Sequence, residues 1–307
     1  MKNDFPGGVW PVMLTPFTKE DQVDYGALER LIDWYIDSGV SGLFAVCQSS
    51  EMFFLSLEER VEIARFTKEK AVGRVPVIAS GHVSDSFEDQ VKELHYIADT
   101  GVDAVILITN RIASEHEDDT VFIRNLTRLT DEIPPHIPLG FYECPYPYKR
   151  LISPETMKSC AETGRFFFHK DTCCDAEQIK NKLVAIRGTN LKLYNANTTT
   201  LLRSMRDGAA GYSGVMANFH PWLYKWLYDH YQNEDRRVQQ VLDFLTLASA
   251  LESRGYPANA KFNMNLCGIP MESVCRSRGS QKLLEHESLE VESLIRLEAY
   301  IKEQLSL

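Results

Sequence analysis

Two residues of this chain have the chemistry to work on a carbonyl group. Lys170 closes the apolar run Phe166-Phe167-Phe168-His169-Lys170, and Tyr142 stands at the end of an earlier one, in Phe141-Tyr142-Glu143-Cys144-Pro145. An amine at the end of one buried strand and a phenol at the end of its neighbour form a reactive pair. The amine condenses with a ketone to give a Schiff base, and the phenol moves the protons. If the strand alternates, Phe166, Phe168 and Lys170 share one face. A lysine on a buried face loses hydration, which lowers its pKa and frees a nucleophilic amine near neutral pH. The alternative for such a residue is a strand-end lysine that snorkels to solvent.

Such a pair needs a scaffold of adjacent strands. Eight continuous apolar runs recur: Val9–Leu14, Leu43–Cys47, Val75–Ala79, Ala104–Ile108, Ile137–Tyr142, Arg165–Lys170, Asn190–Tyr194 and Gly211–Met216. Runs without polar alternation suit parallel strands covered on both faces. Helical segments fill the gaps. Asp24 can cap a helix with the stripe Leu28, Leu31, Ile32 and Ile36, and Gly39 can stop it. Ser56-Leu57-Glu58-Glu59 is a capping box, and Ser153-Pro154-Glu155 supplies a cap and an N1 proline. Ser38-Gly39-Val40, Thr100-Gly101-Val102 and Asp207-Gly208-Ala209 repeat one helix-to-strand connection. The expected fold is an α/β (β/α)8 TIM barrel over residues 1–221. From 222 to 307 the strand runs stop. Trp222–Tyr231, Arg236–Arg254, Ala258–Leu266 and Ser288–Leu305 read as a C-terminal helical extension of the same domain.

Composition limits the partners. The 307 residues are 44% hydrophobic and 25% charged, with a formal net charge of −10. That charge argues against nucleic acid or an anionic membrane as partner, though a local positive pocket can still take an anionic small molecule. No run approaches the roughly 18 apolar residues of a membrane span. The start MKNDFPGGVW lacks an apolar h-region, and the 7 cysteines show no metal-site spacing. Reduced thiols and a cytoplasmic location are the expectation. The 8 histidines show no ligand spacing and no Gly-rich phosphate loop is present, so neither metal nor cofactor is expected. Strand two runs into Cys47-Gln48-Ser49-Ser50-Glu51, where hydroxyls and backbone N–H groups can hold a carboxylate. A plain polar turn reads the same way. Cys144 and Cys173 invite a thiol-nucleophile reading, but no dyad partner is spaced for it.

Together these pieces resemble the dihydrodipicolinate synthase/N-acetylneuraminate lyase family of class I aldolases, along nearly the whole chain. Gly8-Val9-Trp10-Pro11-Val12-Met13-Leu14-Thr15-Pro16-Phe17 is similar to its first strand and T-P-F turn. Ser49-Ser50-Glu51 stands at the end of its G-T-T-G-E loop, and Tyr142-Glu143-Cys144-Pro145 at its Y-N-x-P. His169-Lys170-Asp171 fits its lysine motif, Gly214-Val215-Met216-Ala217-Asn218 its strand-eight segment, and Lys261 the lysine of its helical tail. The resemblance implies a carbon–carbon or carbon–oxygen lyase. Lys170 would form the Schiff base and Tyr142 would shuttle protons. Ser49, with Gln48 beside it, would bind the carboxylate of pyruvate or another 2-oxo acid, and Ser213 would contact the keto acid through its backbone. A homotetramer or homodimer is implied.

The departures lie at the acceptor end. Cys47-Gln48 replaces a glycine-threonine, and Gln48 narrows the pocket. Glu143 replaces an asparagine and adds a negative charge. Pro147 stands where dihydrodipicolinate synthases have the arginine that holds aspartate semialdehyde. Asn110-Arg111-Ile112-Ala113 lacks their inter-subunit tyrosine, and Ala196-Asn197-Thr198-Thr199 lacks the G-x-D-E of sialic-acid lyases. The expected reaction is aldol cleavage, condensation or dehydration of a small, sugar-acid-like substrate. Choice of substrate is assigned to Gln48, Arg111, Tyr146, Tyr148, Asn195 and Asn197, with Arg111 or Arg150 able to replace the missing arginine. The other readings are a true dihydrodipicolinate synthase, a catalytically silent 2-oxo-acid sensor, and a cysteine hydrolase.

Overall fold

All eight apolar runs contain strands. A computed structural model describes residues 5–279 and 281–306. The strands are β1 (Gly8–Val9), β2 (Leu43–Phe44), β3 (Val77–Ser80), β4 (Ala104–Ile108), β5 (Leu139–Tyr142), β6 (Phe166–Asp171), β7 (Lys192–Asn195) and β8 (Gly211–Tyr212). Their order is β1-β8-β7-β6-β5-β4-β3-β2, with every pair parallel. The ring closes between β1 and β2 through a parallel bridge of Val12 with Phe44. The Phe44 N–H donates to Pro11 O at 3.1 Å, and the Met13 N–H donates to Phe44 O at 3.0 Å. The chain is therefore a (β/α)8 barrel.

Several strands are shorter than their apolar runs. Pro11 has no N–H for a ladder, so β1 stops at Val9 and the buried remainder runs irregularly to the seam. The run at β8 turns after Tyr212 into the 3-10 turn Val215–Asn218.

Around the strands lie α1 (Tyr25–Asp37), α2 (Leu57–Ala71), α3 (Phe87–Ala98), the short α4 (Thr109–Ile112), α5 (Asp119–Glu132), α6 (Pro154–Glu162), α7 (Ala176–Ala185) and α8 (Thr198–Arg206). The caps read from sequence are in place. Asp24 accepts from the Ala27 N–H, Ser56 and Glu59 form the capping box, and Ser153 accepts from the Thr156 N–H ahead of Pro154. Gly39, Gly101 and Gly208 take φ of +80°, +79° and +112°, which is why glycine recurs where these helices turn into strands.

Beyond β8 every described element is helical: α9 (Pro221–His230), α10 (Arg236–Ala248), α11 (Ala258–Leu266) and α12 (Glu285–Leu305). The helix expected over Arg236–Arg254 instead ends at Ala248 and continues as a 3-10 turn, Ser249–Ser253. No described helix is long and apolar enough to cross a membrane.

The barrel lumen is filled with aromatic rings. Phe168 stacks on Tyr194 with centroids 4.3 Å apart, Trp10 meets Phe168 edge-on at 5.1 Å, and Phe44 reaches both Phe168 and Tyr142. All four rings, Trp10, Phe44, Phe168 and Tyr194, are fully buried. Gly42 is required beside them, since a Cβ there would lie 2.2 Å from the Trp10 ring. This layer is the floor on which the strand-end residues stand.

Candidate active site

Tyr142 and Lys170 are cross-strand partners, because β5 and β6 pair them in register at their C-terminal ends. The Lys170 Nζ lies 4.0 Å from the centroid of the Tyr142 ring. Both line a cavity of about 460 Å3 at the C-terminal mouth of the barrel. That is where barrel enzymes place their chemistry. Lys170 forms no salt bridge among the described residues. Burial over the aromatic floor lowers its pKa, and nearby thiols oppose this only in part. The amine therefore loses its proton more readily than an exposed lysine. Burial also raises the Tyr142 phenol well above its ordinary value, so Tyr142 carries a proton to give. Its hydroxyl faces Gln48 Oε1 at 3.5 Å.

The loop after β2 forms one wall. Gln48–Ser50 make a 3-10 turn, and Glu51 follows at φ +63°, a left-handed conformation that is costly for a side chain larger than glycine. Among the described residues, the turn's own backbone bonds use the N–H groups of Ser50, Glu51 and Met52 but not those of Gln48 and Ser49. Gln48 and Ser49 both line the cavity. Ser213 is buried and does not itself line the cavity. Its N–H already donates to Asn195 O at 3.0 Å, while its neighbours Gly214 and Val215 do line the cavity.

The residues expected to choose the substrate divide into two groups. Gln48, Tyr146 and Asn197 line the cavity. Asn195 lies beneath it, with its amide bonded to Thr200 and Ser204. Arg111 and Tyr148 line a different cavity, and Arg111 pairs there with Asp85. Arg150 holds the carbonyls of Ser114, Glu117 and Asp118. Neither arginine takes the place vacated at Pro147.

Glu143 corrects a sequence expectation. Its carboxylate does not charge the cavity but lies on the opposite face of the strand end. Oε1 accepts from Lys182 Nζ at 2.6 Å and from the Ile152 N–H at 2.8 Å, and Oε2 accepts from the Thr172 N–H at 3.0 Å. Lys182 also donates to Asp171 Oδ2 at 2.6 Å, and His169 Nε2 lies 3.5 Å from Glu143 Oε1. Glu143, His169 and Asp171 bring ligand atoms within 4.8 Å of one another, a cluster no local spacing announced. The Lys182 ammonium bridges the two carboxylates, so the cluster already holds a cation. Burial alone would raise the Glu143 carboxyl, but Lys182 and His169 outweigh it and hold it below the usual range. Asp171 is held low in the same way.

The cysteines are poor nucleophiles here. Burial pushes Cys144 up to about 11 and Cys173 up to about 12.

Sequence reasoning missed the contribution of the C-terminal elements. Glu252, Tyr256, Pro257, Ser277 and Arg278 all line the cavity, together with Lys149 from the loop after β5. Glu252 keeps exposed surface, yet the protein around it pushes its carboxyl up to about 7. Lys261 is buried against Glu51 at 2.8 Å. Its place in the helical tail was legible from the resemblance, but its partner was not.

A barrel with a desolvated lysine and a phenol paired at adjacent strand ends has the parts that Schiff-base chemistry needs. Residues 5–296 match the dihydrodipicolinate synthetase family, and the chain belongs to it. It is 26% identical over 292 residues to a 4-hydroxy-tetrahydrodipicolinate synthase of Clostridium perfringens, covering 92% of this chain and 97% of the relative. It is 28% identical over 263 residues to the Anaplasma marginale protein of that name, covering 85% of each chain. The fold matches a monomeric dihydrodipicolinate synthase variant with a TM-score of 0.86 at 19% identity, over 96% of this chain and 98% of the other. It also matches YagE, a prophage protein of that family from E. coli K12 solved with pyruvate. There the TM-score is 0.85 at 21% identity, over 95% of this chain and 98% of the other. Members of this family are pyruvate-dependent carbon–carbon lyases, and this chain is an enzyme of that kind.

Removing the cation from the buried cluster should be severe. Lys182→Met leaves two buried carboxylates without the ammonium that bridges them and should cost about 3–5 kcal/mol in urea unfolding at neutral pH. Both carboxyls have lowered folded-state pKa values, so the network stabilises above the ordinary carboxylate pKa and that stability is lost as acid titrates them. The gap between wild type and variant should therefore narrow as the pH falls. An unchanged midpoint at pH 7 would contradict this account.

Proposed function

We propose that the chain forms a Schiff base between Lys170 and a 2-oxo acid, then makes or breaks a carbon–carbon bond at the adjacent carbon, or eliminates a hydroxyl there. The observation that carries this reading is the desolvated, unpaired Lys170 amine over the Tyr142 ring. Ser49 and the Gln48 and Ser49 N–H groups receive the keto acid's carboxylate, which places C2 at the Lys170 Nζ. The amine adds to C2, and Tyr142 delivers the proton with which the oxygen leaves as water. The resulting protonated imine draws electrons from C3. Tyr142, left as the phenolate, takes a proton from C3 to give an enamine, which adds to an aldehyde carbonyl while Tyr142 passes that proton to the new hydroxyl. Cleavage is the same sequence reversed. Ser213 acts from behind the wall, by fixing Gly214 and Val215 through its bond to Asn195.

The substrate proposed is a small, sugar-acid-like molecule. Its aldehyde portion meets Gln48, Tyr146 and Asn197 rather than the arginine of a dihydrodipicolinate synthase.

Borohydride reduction with pyruvate tests the first step. Wild type should gain the mass of one reduced adduct on Lys170, and Lys170→Ala should gain none while keeping its unfolding midpoint. An adduct of equal yield in the variant would remove Lys170 from the role. Tyr142→Phe should still bind the keto acid but turn over about 10² to 10⁴ times more slowly, the range of general acid–base catalysis. Turnover at the wild-type rate would reassign the proton transfer. Aspartate semialdehyde with pyruvate should be a poor pair, with kcat/KM below about 10⁴ M⁻¹s⁻¹, the low end for efficient enzymes. A higher value in a coupled assay would make this chain a dihydrodipicolinate synthase with a rebuilt acceptor site.

A further inference from the structure

The C-terminal segment between α11 and α12 is tied down across the barrel mouth. Glu51 is its main anchor. The Ser277 N–H and Oγ donate to Glu51 Oε2 at 2.7 and 2.8 Å. Lys261 Nζ donates to Glu51 Oε1 at 2.8 Å and to Val274 O at 2.6 Å. One residue earlier than Ser277, Arg276 grips both Glu59 oxygens at 2.7 and 2.8 Å and reaches Asp21 Oδ1 at 2.9 Å. Its guanidinium also lies over the Phe17 ring at 4.5 Å. These bonds fix the backbone of the 3-10 turn Arg276–Arg278 against the loop that carries Ser49.

The residue this strap delivers to the cavity is Arg278. Only 15% of its side chain is accessible, and its Nε is buried with no hydrogen-bond partner among the described residues. Its other contacts are weak: one Nη2 bond to Lys282 O at 3.5 Å, and Glu287 at 3.9 Å. Arg276, two positions away, has every arm engaged. Of the two carboxylates lining the cavity, Glu51 is committed to Lys261 and Ser277, and the Glu252 carboxyl is pushed up to about 7, which reduces its charge near neutral pH. Lys149 adds a second cation from the β5 side, with its Nζ on Thr172 O at 2.8 Å. In a chain of net charge −10, this cavity is lined by the cations Lys149 and Arg278.

A half-buried guanidinium with an unsatisfied Nε is costly to keep unless a ligand completes it. Its planar donors match a carboxylate two oxygens at a time. We propose that Arg278 is the specificity-determining residue of this enzyme and binds a second carboxylate at the far end of the substrate. The substrate class is then a 2-oxo diacid. The inference rests on the Schiff-base reading above. It places the cation on the C-terminal strap instead of at position 147.

The test uses chain-matched acids in borohydride trapping titrations, read by intact mass. The pairs are 2-oxoglutarate against 2-oxopentanoate, and 2-oxoadipate against 2-oxohexanoate, with pyruvate as the common control. In wild type the diacid of at least one pair should half-saturate at about tenfold lower concentration or less, the worth of one charge-assisted pair. Arg278→Leu should erase that preference and keep pyruvate within about twofold, which also shows that the variant is folded. Arg278→Lys should retain part of the preference, since the charge stays and the fork is lost. Equal trapping of diacid and monoacid in both wild-type pairs would overturn the inference. A preference that survives in Arg278→Leu would do so as well. Equal loss of pyruvate and diacid in both Arg278 variants would place Arg278 on the keto acid's own carboxylate and overturn the distal assignment. Failure of wild type to trap any acid on Lys170 would instead bring down the Schiff-base reading, and this inference with it.

Discussion

The structure turns on one unpaired amine held over a floor of aromatic rings. Lys170 is buried without a salt bridge among the described residues, above Phe168 and beside Tyr142. Burial in that position weakens the ammonium relative to the free amine. The protein therefore has to spend packing energy elsewhere to keep the side chain there. The rings of Trp10, Phe44, Phe168 and Tyr194 supply that packing, and they also exclude the water that would hydrate the charge.

A second lysine shows the opposite use of burial. Lys182 is as buried as Lys170, but Glu143 and Asp171 outweigh the loss of hydration and raise its pKa. The difference follows from strand alternation. Along β6, Phe168 and Lys170 face the lumen, while His169 and Asp171 face the helices. At the end of β5, Tyr142 faces the lumen and Glu143 faces the helices. The two reactive residues and the ionic clamp are thus consecutive in sequence and on opposite faces of the sheet. The clamp joins the β5 end, the β6 end and α7. It also takes the Thr172 and Ile152 N–H groups into Glu143, which fixes the strand ends that set the distance between Lys170 and Tyr142.

Much of this was legible in the sequence. The eight strands, the caps at Asp24, Ser56 and Ser153, and the pairing of Tyr142 with Lys170 follow from local patterns: continuous apolar runs, capping signals and strand-end position. What failed was non-local. Glu143 looked like a charge in the pocket because its partner, Lys182, is 39 residues away on α7. Arg111 and Arg150 looked available because nothing nearby in sequence showed the groups they already hold. Glu252 was hidden inside an apparent helix, and only the break at Ala248 turns it toward the cavity. Arg278 lies in a stretch with neither strand nor long helix, and its position depends on Glu51, over two hundred residues earlier.

Glu51 has a further consequence for specificity. It ends the loop that carries Ser49, and its carboxylate is also the anchor of the strap that carries Arg278. Its left-handed backbone is held by the same contacts, since Lys261 and Ser277 fix both carboxylate oxygens. The loop that carries Ser49 and the strap that carries Arg278 are therefore one mechanical unit. A change in the strap that preserves Ser277 can alter what Arg278 presents without moving the Ser49 loop. A change that releases Glu51 disturbs both. This arrangement lets the acceptor end diverge while Lys170, Tyr142 and Ser49 stay in place. It also fits departures on both sides of the cavity, at Cys47-Gln48 in the Ser49 loop and at Pro147, around an unchanged Lys170 and Tyr142.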